Sequence, residues 1–267
     1  MLKHKKWSLI LTTMLTGALL VTGCSTNSDS KDAADGGDKE KKQEWSFAMS
    51  GQYKPFNYYD TKTNELTGFD VEIGKAIAEE MGMEPKPVAT PWNGIISGLK
   101  AGKYDSILGS MAITEKRLKE VDFSDPYYIS GAQLFVAPGS DIHTIDDVTK
   151  DTKIGVTIST TYEEEARKYT DNIASYDSDN KALRELADGR VDAVITDRLV
   201  GILSSKEMDI DIEAAGELLY TEKMGIAFRQ EDDDLREKVN AALKDIMESG
   251  KYLEISKKYF DRDISKK

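Results

Sequence analysis

The stretch Leu99-Lys100-Ala101-Gly102-Lys103-Tyr104-Asp105-Ser106-Ile107-Leu108 returns later in the chain as Leu186-Ala187-Asp188-Gly189-Arg190-Val191-Asp192-Ala193-Val194-Ile195. Each copy reads as a helix end, a glycine stop, a tight turn and a short buried strand. The offset is constant, so Gly109 aligns with Thr196 and Ser110 with Asp197. Two copies of one helix–glycine–strand unit predict two related α/β lobes. Each lobe presents polar residues at the carboxyl end of a strand, the edge at which open α/β sheets take ligands.

The first copy runs straight into Gly109-Ser110-Met111-Ala112-Ile113-Thr114-Glu115-Lys116-Arg117, and then to Asp122-Phe123-Ser124-Asp125-Pro126-Tyr127-Tyr128. Small residues at the strand end let backbone approach a ligand closely. Thr114 reads as an N-cap, with Glu115, Lys116 and Arg117 in the first turn of a helix. A cation there opposes the helix dipole. An anion held between Arg117 and free backbone N–H groups would resolve the conflict, and the guanidinium fork suits a carboxylate. Asp197 lies beyond an apolar strand and needs a charged or hydrogen-bonding partner. A ligand ammonium or the neighbouring Arg198 would each supply one.

Other elements follow from periodicity. Phe69, Ile73, Ala76, Ile77 and Met81 form one apolar stripe, predicting a helix over 69–81 that Gly82 ends. Asp70 and Glu72 are first-turn acids that complement its dipole. Trp92 opens the next helix, which stops at Gly102. Lys153 to Thr157 reads as a strand, after which Thr160 or Thr161 caps a helix and can help hold a carboxylate. Gly131–Ala137 and Lys223–Phe228 are extended, and two helical stretches close the chain, the second over Tyr252–Phe260.

Two motifs in order, Gly109–Arg117 and the helix motif Gly68-Phe69-Asp70-Val71-Glu72-Ile73-Gly74-Lys75-Ala76-Ile77-Ala78, resemble the polar amino acid group of extracellular solute-binding proteins of ABC importers. The resemblance covers nearly all of the chain after residue 44. It implies an α/β, two-lobed, periplasmic-binding-protein-like fold of type II with two crossovers. Lobe 1 would be residues 45–132 and 228–267, and lobe 2 residues 133–227. It also implies a site. Tyr53, just before Pro55-Phe56, stacks on the ligand, and Trp92 forms the other wall. Gly109, Ser110 and Ala112 edge the cleft, Arg117 holds the α-carboxylate with Thr160 and Thr161, and Asp197 holds the α-ammonium. Thr157 and Thr196 are placed to line the same pocket. Relatives often carry Ser or Thr where Ala112 stands and Gly where Ser159 stands. Ser50 stands where relatives for basic amino acids often carry an acid, which favours a polar uncharged ligand, while an aromatic pair can still stack on a guanidinium, which keeps arginine open.

The whole chain has 267 residues, enough for two lobes. Its net charge is −12, although residues 1–23 hold three lysines and no acid. That balance argues against nucleic acid as a partner. With one Cys and two His, a disulfide framework is excluded, and no metal or cofactor is expected. Neither a Ser–His nor a Cys–His pair is available for nucleophilic catalysis, so the chain is not expected to be an enzyme. A dehydratase on the same fold and a ligand-sensing lipoprotein are the rival readings. The apolar run Leu9–Val21 follows Lys3, Lys5 and Lys6 and ends in Val21-Thr22-Gly23-Cys24. It reads as a signal peptide over 1–23. The ending resembles a bacterial lipobox, which implies a lipidated Cys24 and a bilayer anchor on the extracytoplasmic face. Residues 24–44 are polar and would form a flexible tether. The expected partners are an amino acid and the permease subunits of an importer, with the protein itself a monomer.

Overall fold

The computed structural model describes residues 42–266. The expectations of a signal peptide, a lipidated Cys24 and nearly all of the tether lie outside the described residues.

The described residues open with β1 (Glu44–Met49), the short antiparallel strands β2 (Gln52–Tyr53), β3 (Asn57–Tyr59) and β4 (Leu66–Thr67), helix α1 (Phe69–Glu80) and β5 (Glu84–Ala89). Next come α2 (Ile95–Lys100), β6 (Ser106–Ala112), β7 (Asp122–Phe123) and the long β8 (Tyr128–Val136). A second series follows: β9 (Ile154–Thr157), α3 (Thr161–Ala166), β10 (Ile173–Tyr176), α4 (Asp179–Ala187), β11 (Ala193–Asp197) and α5 (Arg198–Met208). Strand β12 (Glu213–Phe228), α6 (Asp233–Glu248) and α7 (Lys251–Phe260) finish the fold.

The main sheet has the order β10-β9-β11-β8-β12-β6-β1-β5, and β7 pairs with β12. Its two halves mirror each other. In one half β5 and β6 flank β1 in parallel, and β6 meets β12 antiparallel. In the other, β10 and β11 flank β9 in parallel, and β11 meets β8 antiparallel. Strands β8 and β12 pair with each other and join the halves. They are the two crossovers of a two-lobed α/β fold.

The repeat read from the sequence is geometric as well. Gly102 and Gly189 both take a left-handed φ, +69° and +70°. Each ends its helix with matching bonds, Gly102 N–H to Leu99 O and Gly189 N–H to Leu186 O. A side chain at either site would strain this conformation.

Apolar side chains cover both faces of both halves. One face of the first half packs Trp45, Phe47, Phe69, Ile73 and Ile77 against α6 and α7, and the other packs Ile95, Leu99, Ile107 and Met111. In the second half Leu134, Val156 and Ile195 lie on one side, with Phe135, Leu183 and Val194 on the other. With helices on each face, the parallel strands are buried on both sides. Only their carboxyl ends stay open, and the site forms there.

One expected element differs. No α-helix starts at Thr114; a single 3-10 turn spans Arg117–Lys119. Thr114 Oγ1 does accept from Arg117 N–H at 3.2 Å, and Thr114 O accepts from Leu118 N–H. Val121 is buried and fixes the chain one turn later, leaving no length for a helix. The dipole argument for an anion beside Arg117 therefore loses its basis, because one turn supplies little dipole.

Candidate functional site

The carboxyl ends of β6, β9, β10 and β11 converge on a cleft. A cavity of about 40 Å³, room for roughly three waters, lies between the halves. Tyr53, Trp92, Gly109 and Ser110 line it from the first half; Thr157, Thr160 and Asp179 line it from the second. The one-turn helix beginning at Trp92 holds the indole across the cleft, where Trp92 Nε1–H donates to Ser159 O at 3.2 Å. A second space of about 380 Å³ continues past Trp92, bounded by Arg117, Thr160 and Thr161.

Gly109 lets β6 lie against β1, since a Cβ would meet Met49 Cα at 3.1 Å. Ser110 has a left-handed φ of +59°, which costs a non-glycine residue about 1–2 kcal/mol. The cost is offset by a buried network. Ser110 N–H donates to Tyr127 Oη (2.9 Å), and Ser110 Oγ donates to Asp70 Oδ2 (3.0 Å). Asp70 also accepts from Tyr127 Oη–H (2.7 Å) and Asn57 Nδ2–H (2.7 Å), and Asn57 Oδ1 accepts from Ser50 and Gly51. Asp70 is fully buried, and burial outweighs these hydrogen bonds to push its pKa up to about 6. It therefore does more than complement a dipole: it sets the shape of the first-half wall.

Arg117 donates from Nη1 to Ala112 O (2.8 Å), and its guanidinium carbon sits 5.7 Å from the centre of the Trp92 ring. Burial lowers its pKa, while Glu222 and Glu164 raise it. The Ala112 side chain is buried in the core and reaches neither cavity. It serves Arg117 through its carbonyl.

On the other wall Thr160 caps α3. Its Oγ1 accepts from Glu163 N–H (3.2 Å) and donates to Thr157 O (2.6 Å). Ser159 takes a left-handed φ of +63° where relatives were expected to carry glycine. Asp197 caps α5, with Oδ1 accepting from Leu199 and Val200 N–H (2.7 and 3.2 Å) and Oδ2 from Tyr162 Oη–H (3.3 Å). It has no exposure and stands behind the cavity wall. Burial, above the help of Ser130 and the α5 amides, raises its pKa to about 6. Tyr53 stacks on Phe56 at 5.3 Å. Burial and the charges of Asp197 and Asp179 push its phenol well up.

The central cavity thus gathers six of the expected residues: Tyr53, Trp92, Gly109, Ser110, Thr157 and Thr160. Arg117 and Thr161 border the adjoining space, Asp197 is one layer back, and Ala112 is core. Sequence reasoning missed Asp179, a buried acid at the end of β10. The strand-edge rule that picked out Ser110 and Asp197 would have found it if applied to this third strand.

Residues 46–262 match the model of bacterial extracellular solute-binding proteins, family 3. The L-cystine-binding protein TcyJ of Escherichia coli (strain K12) is 33% identical over 222 residues, 82% of this chain and 83% of that protein. The structure is similar to the arginine-, lysine-, histidine-binding protein ArtJ of Geobacillus stearothermophilus, with TM-score 0.77, 29% identity, and 83% of this chain and 96% of that one covered. It is also similar to AncCDT-1, an ancestral amino acid-binding protein described as a precursor of cyclohexadienyl dehydratase: TM-score 0.75, 32% identity, 81% and 95% covered. With four-fifths of the chain matched and the cleft built from the paired strand ends, this chain belongs to family 3 of the bacterial extracellular solute-binding proteins, a family of amino-acid binders.

Proposed function

We propose that the protein captures an amino acid between its lobes and delivers it to the permease of an importer. Lobe 1 is residues 45–132 and 228–267, lobe 2 residues 133–227, and β8 and β12 form the hinge. Arg117 holds the α-carboxylate together with Thr160 and Thr161. Asp197 holds the α-ammonium once Tyr162 shifts aside. Tyr53 and Trp92 enclose the side chain, with Gly109, Ser110 and Thr157 as the floor. The protein acts outside the cytoplasm, held to the membrane through Cys24.

The observation that carries this reading is the cleft itself: Tyr53, Trp92, Gly109 and Ser110 from the first half face Thr157 and Thr160 from the second across one cavity, with Arg117 on the adjoining space and Asp197 one layer behind the wall. A ligand that touches both halves binds the closed state better than the open one, so binding drives closure. The dehydratase alternative draws on the similarity to AncCDT-1, but that ancestor is itself described as a binding protein.

Thermal-shift screening against the twenty amino acids, cystine and ornithine tests the reading. A true ligand at one hundred times its Kd adds about 2.7 kcal/mol of stability. Arg117→Ala should abolish that gain. A variant that keeps it removes Arg117 from the site.

A further inference from the structure

Asp179 opens α4 at the carboxyl end of β10; it is 4% exposed yet lies on the cavity wall. Its charge is supported only by neutral groups: the hydroxyl of Thr196, which donates to Oδ1, the hydroxyl of Thr157 and its own backbone N–H. Burial outweighs them and raises its pKa. The lining of the cavity contains no lysine and no arginine. Neighbouring Asp177 differs, being exposed and paired with Lys181 at 3.5 Å. Thr157 Oγ1 is buried beside the Asp179 carboxylate and makes no hydrogen bond of full geometry there.

Charge counting then separates ligand classes. Arg117 and Asp197 answer a zwitterionic head with one charge of each sign. Glu222 stands near Arg117, and Asp179 adds a further negative charge on the wall of the cavity itself. A neutral side chain would seal that carboxylate away from water unpaired, which is costly. A cationic side chain would pair with it, and the faces of Tyr53 and Trp92 attract cations as well.

We infer that Asp179 receives a second cationic nitrogen, an ammonium or a guanidinium, carried by the ligand beyond its α-amino-acid head. This rests on the amino-acid reading of the cleft given above. It reverses the preference for an uncharged ligand drawn from Ser50.

Calorimetric titration of the purified protein with matched pairs tests it. Arginine and citrulline share a shape but differ in charge; lysine and norleucine, and cystine and the mixed disulfide of cysteine with 3-mercaptopropionate, differ by the second ammonium. At least one cationic member should bind about 30-fold or more tighter than its partner, the scale of an unpaired buried charge. The three pairs distinguish a guanidinium, a terminal ammonium and a distal zwitterion as its source. Asp179→Asn keeps the acceptor for Thr196. It should erase that ratio, with the neutral partner binding at least as tightly as to the wild type, because no unpaired carboxylate is then sealed away. Equal binding within every pair, or tighter binding of glutamine or serine, would overturn the assignment, and so would equal losses for both members in Asp179→Asn. The wild-type ratios need no variant and hold even if Asp179→Asn fails to fold. If no amino acid binds the wild type at all, the amino-acid reading itself falls, and this inference with it.

Discussion

Replacing Asp70 by Asn should change how stability responds to pH more than stability itself. Asp70 is fully buried, has three neutral hydrogen-bond donors and no cation, and its pKa is about 6 against the ordinary 3.8. Its folded-state pKa is raised, so between pH 6 and 4 the native state binds the proton that the unfolded chain does not. Stability therefore rises as pH falls through this window. From pH 7 to pH 5 a single group with these values adds about 1.3 kcal/mol. Asp197, also near 6, adds a similar amount, so the two together supply about 2.6 kcal/mol.

Asn at position 70 can still accept from Asn57 and Ser110 through its oxygen. Its own amide would then face Tyr127 Oη, which can turn to accept. The expected cost at pH 7 is about 1 kcal/mol or less. Urea unfolding of the ligand-free protein at pH 7, 6 and 5 measures both effects. The wild-type curve should climb more steeply than the Asp70→Asn curve, by about 1.3 kcal/mol across the range. All other carboxylates cancel in that difference. Parallel curves would refute the claim that Asp70 is ionised and poorly solvated in the native protein.

Two further outcomes follow from contacts at the cleft. Trp92→Phe keeps a ring near Arg117 but removes the N–H bond to Ser159 O. It should weaken the closed form by about 1 kcal/mol, seen as a roughly fivefold loss of ligand affinity with unchanged unfolding stability of the free protein; an unchanged affinity would argue that this bond does not matter for closure. Ser159→Gly relieves a left-handed backbone at a residue whose side chain makes no hydrogen bond that ties the loop. It should raise the melting free energy by about 0.5–1 kcal/mol. A loss of stability in a thermal melt would contradict that account.

Much of this fold is legible because it is written twice. The two helix–glycine–strand copies announce the lobes, and glycine is needed at 102 and 189 because the chain turns through a left-handed φ. Periodicity also finds α1, whose predicted end at Met81 differs from the observed Glu80 by one residue. What escapes is what depends on depth. Asp70 sits in a first turn, where an acid is ordinary, and nothing in its local sequence says that the helix start is sealed under Tyr127. Asp179 likewise looks like a helix-opening acid in the run Asp177-Ser178-Asp179-Asn180 until β10 sets it against Thr157 and Thr196. The missing helix after Thr114 is a different failure. Thr114 forms a cap-like bond, but the buried Val121 ends the turn, and one side chain cannot announce how soon the chain must re-enter the core.

Several polar contacts cross the cleft and bear on the proposed closure. Trp92 to Ser159 is a single hydrogen bond. Lys116–Glu164 spans the gap at 2.5 Å with both side chains largely exposed, and Lys54–Glu207 is also open to water. Exposed ion pairs contribute about 0–1 kcal/mol each, and the hydrogen bond about 1. These three amount to roughly 1–3 kcal/mol, and Tyr53–Tyr162 and the packing of Leu199 and Val200 into the first-half core add to them. Moving a two-state equilibrium from one extreme to the other takes about 5.5 kcal/mol. In the proposed closure, a ligand bonded to both halves would add to these contacts and favour the closed state. A protein whose lobes gripped each other strongly would stay closed without cargo.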